Sequence, residues 1–124
     1  MSGLKPGALV IDMTSGDPSA TRRLAEKVSS LGGVMIDAPV SGGVPRAKTG
    51  ELAIMVGGTE ENIAHAMPVL KAMGTTITRC GDIGAGQAMK ALNNLVSAGG
   101  FLIGIEALLI GQRFGLDPAL MVDG

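Results

Sequence analysis

The sequence predicts an α/β fold: part of an open parallel sheet, followed by one long helix. Three observations point to it. Short apolar runs rich in Val and Ile alternate with amphipathic stretches of helical period. The links between them are short and carry Gly, Pro, Ser and Asp. After residue 83 this punctuation stops, and from Gly86 to Phe114 there is no Pro and no clear breaker except Gly99-Gly100.

ALVIDM (8–13) is a continuous apolar run with β-branched residues, the pattern of a strand buried on both faces. TSGDP supplies turn chemistry. Ser15 or Asp17 can cap a helix whose first position is Pro18. Over 18–32, Ala20, Leu24, Val28 and Leu31 share one stripe, and Gly32-Gly33 ends the helix. VMIDAPV (34–40) is a second strand, so the first 40 residues read as a βαβ unit with a parallel pair.

SGGVPRAKTGE (41–51) reads as a loop and LAIMVGG (52–58) as a third strand. Thr59 caps a helix to about Met73, with Glu60 and Glu61 at its positive end. Pro68 inside that pattern predicts a kink or two short helices. TTITRC (75–80) is a fourth strand. The unbroken stretch from Gly86 to Phe114 reads as one helix of roughly 44 Å by the rise per residue. Gly115-Leu116-Asp117-Pro118 stops it and starts another.

A chain of 124 residues fits one domain or a piece of a larger one. Aromatics are 2% and Trp and Tyr are absent, so any core is built from Ala, Val, Ile, Leu and Met. The net charge of −1 and the lack of a basic stripe argue against nucleic acid as a partner. Cys80 is the single cysteine, which excludes an internal disulfide and makes a metal site unexpected; a small apolar residue at a strand end is the expectation. MSGLKPGALV lacks a secretory pattern, so the cytoplasm is the default compartment. His65 reads as a surface or interface histidine, because no second ligand or nucleophile is near it in sequence. Asp12 and Asp37 end strands, where an N-cap or turn role is expected. LVSAGGFLIGIEALLIG (95–111) contains Glu106 and falls short of the about 20 apolar residues of a membrane span, so no membrane is expected. Burial in a bundle or a subunit interface explains it better.

The chemistry turns on GAGQAMKALNN (84–94). It follows a strand and opens a helix, as a dinucleotide fingerprint does, but matches only the start of that motif. The second strand and acidic residue that the motif needs do not follow. A plain helix start is another reading. A third makes the helix the active element: Lys90 and Asn94, four residues apart, share a face. DAPVSGG (37–43) adds a Ser-Gly-Gly turn where open α/β sheets bind ligands, and its backbone N–H groups can form an anion-binding nest.

VIDM, DAPVSGGVPRAKTGELAIMVGG and GAGQAMKALNN together resemble the β-hydroxyacid dehydrogenase family, whose best-known branch is 3-hydroxyisobutyrate dehydrogenase. The resemblance covers nearly the whole chain in the family's order. It implies that residues 1–83 are the second half of a Rossmann-type dinucleotide-binding domain, and 84–124 the start of an all-α C-terminal domain that dimerises, so a homo-oligomer through the long helix is expected. It implies NAD or NADP as cofactor and a small hydroxy acid as substrate. Ser41, Gly42 and Gly43 would hold the substrate carboxylate, Lys90 would be the acid/base, and Asn94 would orient Lys90 or the substrate. Ser15 aligns with a threonine that touches the nicotinamide side of the cofactor in relatives.

The sequence also departs from the family. Its first strand, Gly-rich turn and helix are absent, as are the later C-terminal helices, so an internal fragment without turnover of its own is expected. The loop reads Val44-Pro45-Arg46-Ala47 where relatives often place a small residue or Gly. Asn93-Asn94 resembles the short-chain branch more than 6-phosphogluconate dehydrogenases, which usually have His-Asn there. Lys90 argues against imine reductases. A tartronate semialdehyde reductase or a 6-phosphogluconate dehydrogenase-like enzyme is an alternative branch, and a non-catalytic assembly piece is an alternative of another class.

Overall fold

The structure, a computed structural model, describes residues 3–123. In chain order it has β1 (Leu9–Asp12), α1 (Pro18–Ser30), β2 (Val34–Asp37), β3 (Val40–Ser41), α2 (Gly43–Thr49), β4 (Leu52–Gly57), α3 (Glu60–Met73), β5 (Gly74–Gly81), α4 (Ala85–Phe114) and α5 (Pro118–Asp123). It forms two compact units, one through Ala91 and one from Leu92.

In the first unit the expected βαβ start is present. β1 pairs with β2 in parallel, and Leu9 lies opposite Val34. Asp17 caps α1 by accepting the N–H groups of Ser19 and Ala20, and Pro18 takes the first helical turn. The buried line of α1 is Thr21 and Val28. Of the expected stripe Val28 is buried and Leu24 half-buried, whereas Ala20 is exposed and Leu31 lies exposed past the helix end. β1 is only half-buried along its length rather than buried on both faces: among the described residues it pairs with β2 alone.

β2 and β3 are one strand interrupted at Ala38-Pro39. Asp37 pairs with Gly57, Val40 with Ile54 and Ser41 with Ala53, all in one antiparallel register. Pro39 cannot donate, but its carbonyl still accepts the Met55 N–H at 2.9 Å. β4 then pairs with β5 in parallel. The sheet is therefore mixed, where a parallel one was expected. The reason lies in the connection: a crossover to a parallel neighbour takes a dozen or more residues, and only residues 42–51 link β3 to β4.

Those linking residues are not the plain loop that their Gly and Pro suggest. Gly43–Thr49 is a short helix, with Pro45 tolerated in its first turn and Gly50 closing it at φ 71°. α3 runs unbroken through Pro68 rather than splitting into two helices. Thr59 caps it by accepting the Asn62 N–H.

The core lies between the sheet and α3. Ile36, Ala38, Leu52, Ile54 and Val56 meet Ile63, Ala66 and Leu70, and all are buried. Met35 points to the opposite face, where α1 packs on β2 and Val28 is buried.

In the second unit α4 continues to Phe114, as expected, and Gly115 at φ 93° turns the chain. Asp117 accepts the Ala119 N–H at the start of α5. The end of the Met121 side chain packs on Gly111. Phe101, Leu102, Ile103, Leu109 and Ile110 are exposed. By length and composition α4 is apolar enough to cross a membrane.

Candidate active site

The turn before α4 is organised by a side chain from β2. The Asp37 carboxylate, 0% exposed, accepts the N–H of Gly84 at 2.7 Å and of Gln87 at 2.8 Å. It is an N-cap for α4 delivered across the fold, as expected for a capping role. Two glycines make room for it, and a third, Gly84, supplies the left-handed turn that aims its N–H at the carboxylate. A Cβ on Gly57 would strike Asp37 Oδ1. Gly84 takes φ 92°, and a Cβ on Gly86 would run into the Met55 carbonyl and Asp37. The glycines of GAGQ are thus explained by close backbone approach. The N–H groups that a pyrophosphate would need already serve a carboxylate, so the turn is no phosphate cradle.

Gln87 is the residue that sequence reasoning passed over. It is buried, its Oε1 accepts the Gly16 N–H at 2.8 Å, and its Nε2 donates to the Thr14 carbonyl at 2.9 Å. Asp12 holds the same turn from the strand side: its Oδ1 accepts from Thr14 N–H at 3.0 Å and Oγ1 at 2.7 Å. Ser15 sits between these anchors, exposed to solvent. No local pattern marks Gln87, because its partners lie 71 and 73 residues away.

Lys90 follows one turn after Gly86 on the same helical face, half-buried. Among the described residues it has no ion pair; the salt bridges there join Arg79 to Glu60 and to Asp82. Ser41 ends β3 opposite Ala53, two residues along β4 from the Met55 that receives Gly86. Gly42 (φ 131°) and Gly43 (φ 62°) turn the chain into α2, which no side chain caps. Its first N–H groups are free of a side-chain partner, a setting that suits a ligand's oxygens. A Cβ on Gly42 would collide with the Arg46 side chain, so a cationic residue lies against this turn. The first unit therefore holds Ser15, Ser41, Gly42, Gly43 and Lys90, while Asn94 lies in the second unit, exposed.

His65 is exposed. Cys80 is partly covered at the end of β5. Burial is the main cause that raises its pKa; the Asp37 charge adds to it, and a hydrogen bond with the Val56 backbone opposes it.

Comparison with known proteins gives a consistent picture. Residues 1–81 match the family model of the NAD binding domain of 6-phosphogluconate dehydrogenase. Residues 84–124 match a second family model, described as NAD-binding of NADP-dependent 3-hydroxyisobutyrate dehydrogenase. The chain is 46% identical over 118 residues to mitochondrial 3-hydroxyisobutyrate dehydrogenase of Bos taurus, covering 95% of this chain and 35% of that protein. It is 45% identical over 114 residues to 3-hydroxyisobutyrate dehydrogenase of Pseudomonas aeruginosa, covering 91% and 38%. A structure of Mycobacterium tuberculosis 3-hydroxyisobutyrate dehydrogenase with L-serine superposes at a TM-score of 0.89 and 39% identity, over 94% of this chain and 40% of that one. The chain thus spans about a third of the length of the curated relatives it matches.

Proposed function

We propose, from the premise that this chain belongs to the β-hydroxyacid dehydrogenase family, that it carries the substrate turn and acid–base lysine of an NAD(P)-dependent oxidoreductase. The reaction interconverts a small 3-hydroxy acid and its semialdehyde. Residues 1–83 belong to the dinucleotide-binding domain and 84–124 open the helical one.

The observation that carries this reading is the meeting of two segments on β4. Ser41 pairs with Ala53, and Gly86 rests on Met55, one turn before Lys90 on its own helix face. A carboxylate seated at Ser41, Gly42 and Gly43 would receive the serine hydroxyl and the uncapped N–H groups of α2. Arg46 beside that turn adds positive charge. The Lys90 amine takes the hydroxyl proton as the carbinol carbon is oxidised, and returns it in the reverse direction. Bound nicotinamide supplies the hydride chemistry. The residues here fit one side of that cofactor only: Ser15 offers a hydroxyl at the carboxyl end of β1, and no phosphate cradle lies among the described residues. Asn94 orients Lys90 or the substrate. A reducing compartment that holds the nicotinamide pool, the cytoplasm, suits this role, and the apolar stretch of α4 supports assembly with a second copy.

The test is turnover of 3-hydroxyisobutyrate with NAD or NADP by the natural protein that contains these residues. Lys90→Ala is expected to lower kcat by about 10²–10⁴ and to leave the cofactor Kd unchanged. A kcat within threefold of the parent would remove Lys90 from the reaction.

A further inference from the structure

We infer that Gln87 is a positioning residue for the cofactor-side hydroxyl: it latches the Ser15 turn onto the helix that carries Lys90. The inference rests on the function proposed above.

One side-chain amide bonds the peptide groups on both sides of Ser15. Gln87 Oε1 accepts the Gly16 N–H, and Nε2 donates to the Thr14 carbonyl. Both atoms are backbone, so the bonds fix the path of the turn and not merely one rotamer. The far end of the latch is equally fixed. The Gln87 N–H and the Gly84 N–H both donate to Asp37, a residue of β2. Lys90 comes three residues later on the same helix.

A continuous chain of bonds therefore runs from the sheet through the start of α4 to Ser15. No buried side-chain N or O among the described residues lacks a partner, so the latch is complete. The residue type is demanding. A donor and an acceptor must leave one planar group at this reach, which glutamine supplies. Methionine fills similar space with neither bond, and glutamate keeps the acceptor toward Gly16 but loses the donor toward Thr14. A glutamine that only filled space would tolerate methionine.

Two measurements on Gln87→Met test this. In the 124-residue chain, hydrogen exchange at the Gly16 amide is expected to accelerate tenfold or more. In the natural protein that contains the chain, the Kd for NADH or NADPH by fluorescence is expected to rise tenfold or more, while the KM for the hydroxy acid stays within twofold. Gln87→Asn keeps the donor and the acceptor on a shorter arm and should fall between methionine and the parent, and it carries the comparison if the methionine variant does not fold. The inference is overturned if Gly16 exchange is unchanged. It is also overturned if the amide is freed and the cofactor Kd stays within twofold. A parent that binds neither nucleotide refutes the proposed function and the positioning role with it. Loss of turnover in Lys90→Ala beside normal cofactor binding in Gln87→Met refutes the positioning role alone.

Discussion

The Asp37 carboxylate accepts two amide hydrogen bonds in a fully buried setting, and Gly57 and Gly86 leave the space it fills. Asp37→Ala leaves both N–H groups without acceptors, and urea unfolding of the chain should report a loss of about 3 kcal/mol. A loss under about 1 kcal/mol would mean that water replaces the cap at little cost. Strand-end position marked Asp37 as a capping residue in the sequence. The helix it caps was not legible, because 47 residues separate donor and acceptor. Gln87 was less legible still, since nothing beside it shows that Thr14 and Gly16 will arrive. Cys80 gives a pH-dependent observable. Burial raises its pKa, so less thiolate is present at mildly alkaline pH than in the unfolded chain. Its reaction with a thiol-exchange reagent should be slower when folded, by a margin that narrows as pH rises through the native pKa. The stability contributed by this shift is present below the unfolded pKa and lost over the same rise.

Among the elements, those with local signals were legible: the caps Asp17 and Thr59, the strand around Val34, and the long unpunctuated α4. Two features were not. α2 hides in Gly43-Val44-Pro45, residues that serve a turn and a helix start equally well. The direction of β4 is a property of the connection and not of its residues, so an apolar run read as parallel proves antiparallel to β3. Pro68 shows tertiary packing overriding propensity: Ala66 and Leu70 on either side are buried, and the helix continues. Pro68 is itself exposed, so Pro68→Ala should restore a backbone donor without repacking. A gain of about 1–2 kcal/mol in urea unfolding is expected, after allowing for the freer unfolded chain. No gain would mean that the helix has a bend at Pro68 on which the core depends.

At the scale of the molecule, the two units differ in how their apolar residues are used. The first closes a core around Ile36, Ile54 and Leu70. The second leaves Phe101, Leu102, Ile103 and Ile110 exposed on α4. Exposed apolar surface of this kind favours association. The chain is expected to sediment above monomer mass at micromolar concentration, and Leu102→Glu with Ile110→Glu should return it to monomer. A parent that stays monomeric would speak against assembly through this helix.

The cap on α4 also has a bearing on the order of folding. A helix start capped by its own neighbours can form early and alone. This one waits for Asp37, so its first turn closes only after β2 and β4 have met and a long chain loop has paid its closure entropy. The Gly84 and Gln87 amides should then exchange only when the sheet opens, at the free energy of the whole unit and not of a fraying end. Exchange at that level would make the residues that precede Lys90 as rigid as the core, although they sit at a helix terminus, where looseness is the ordinary expectation.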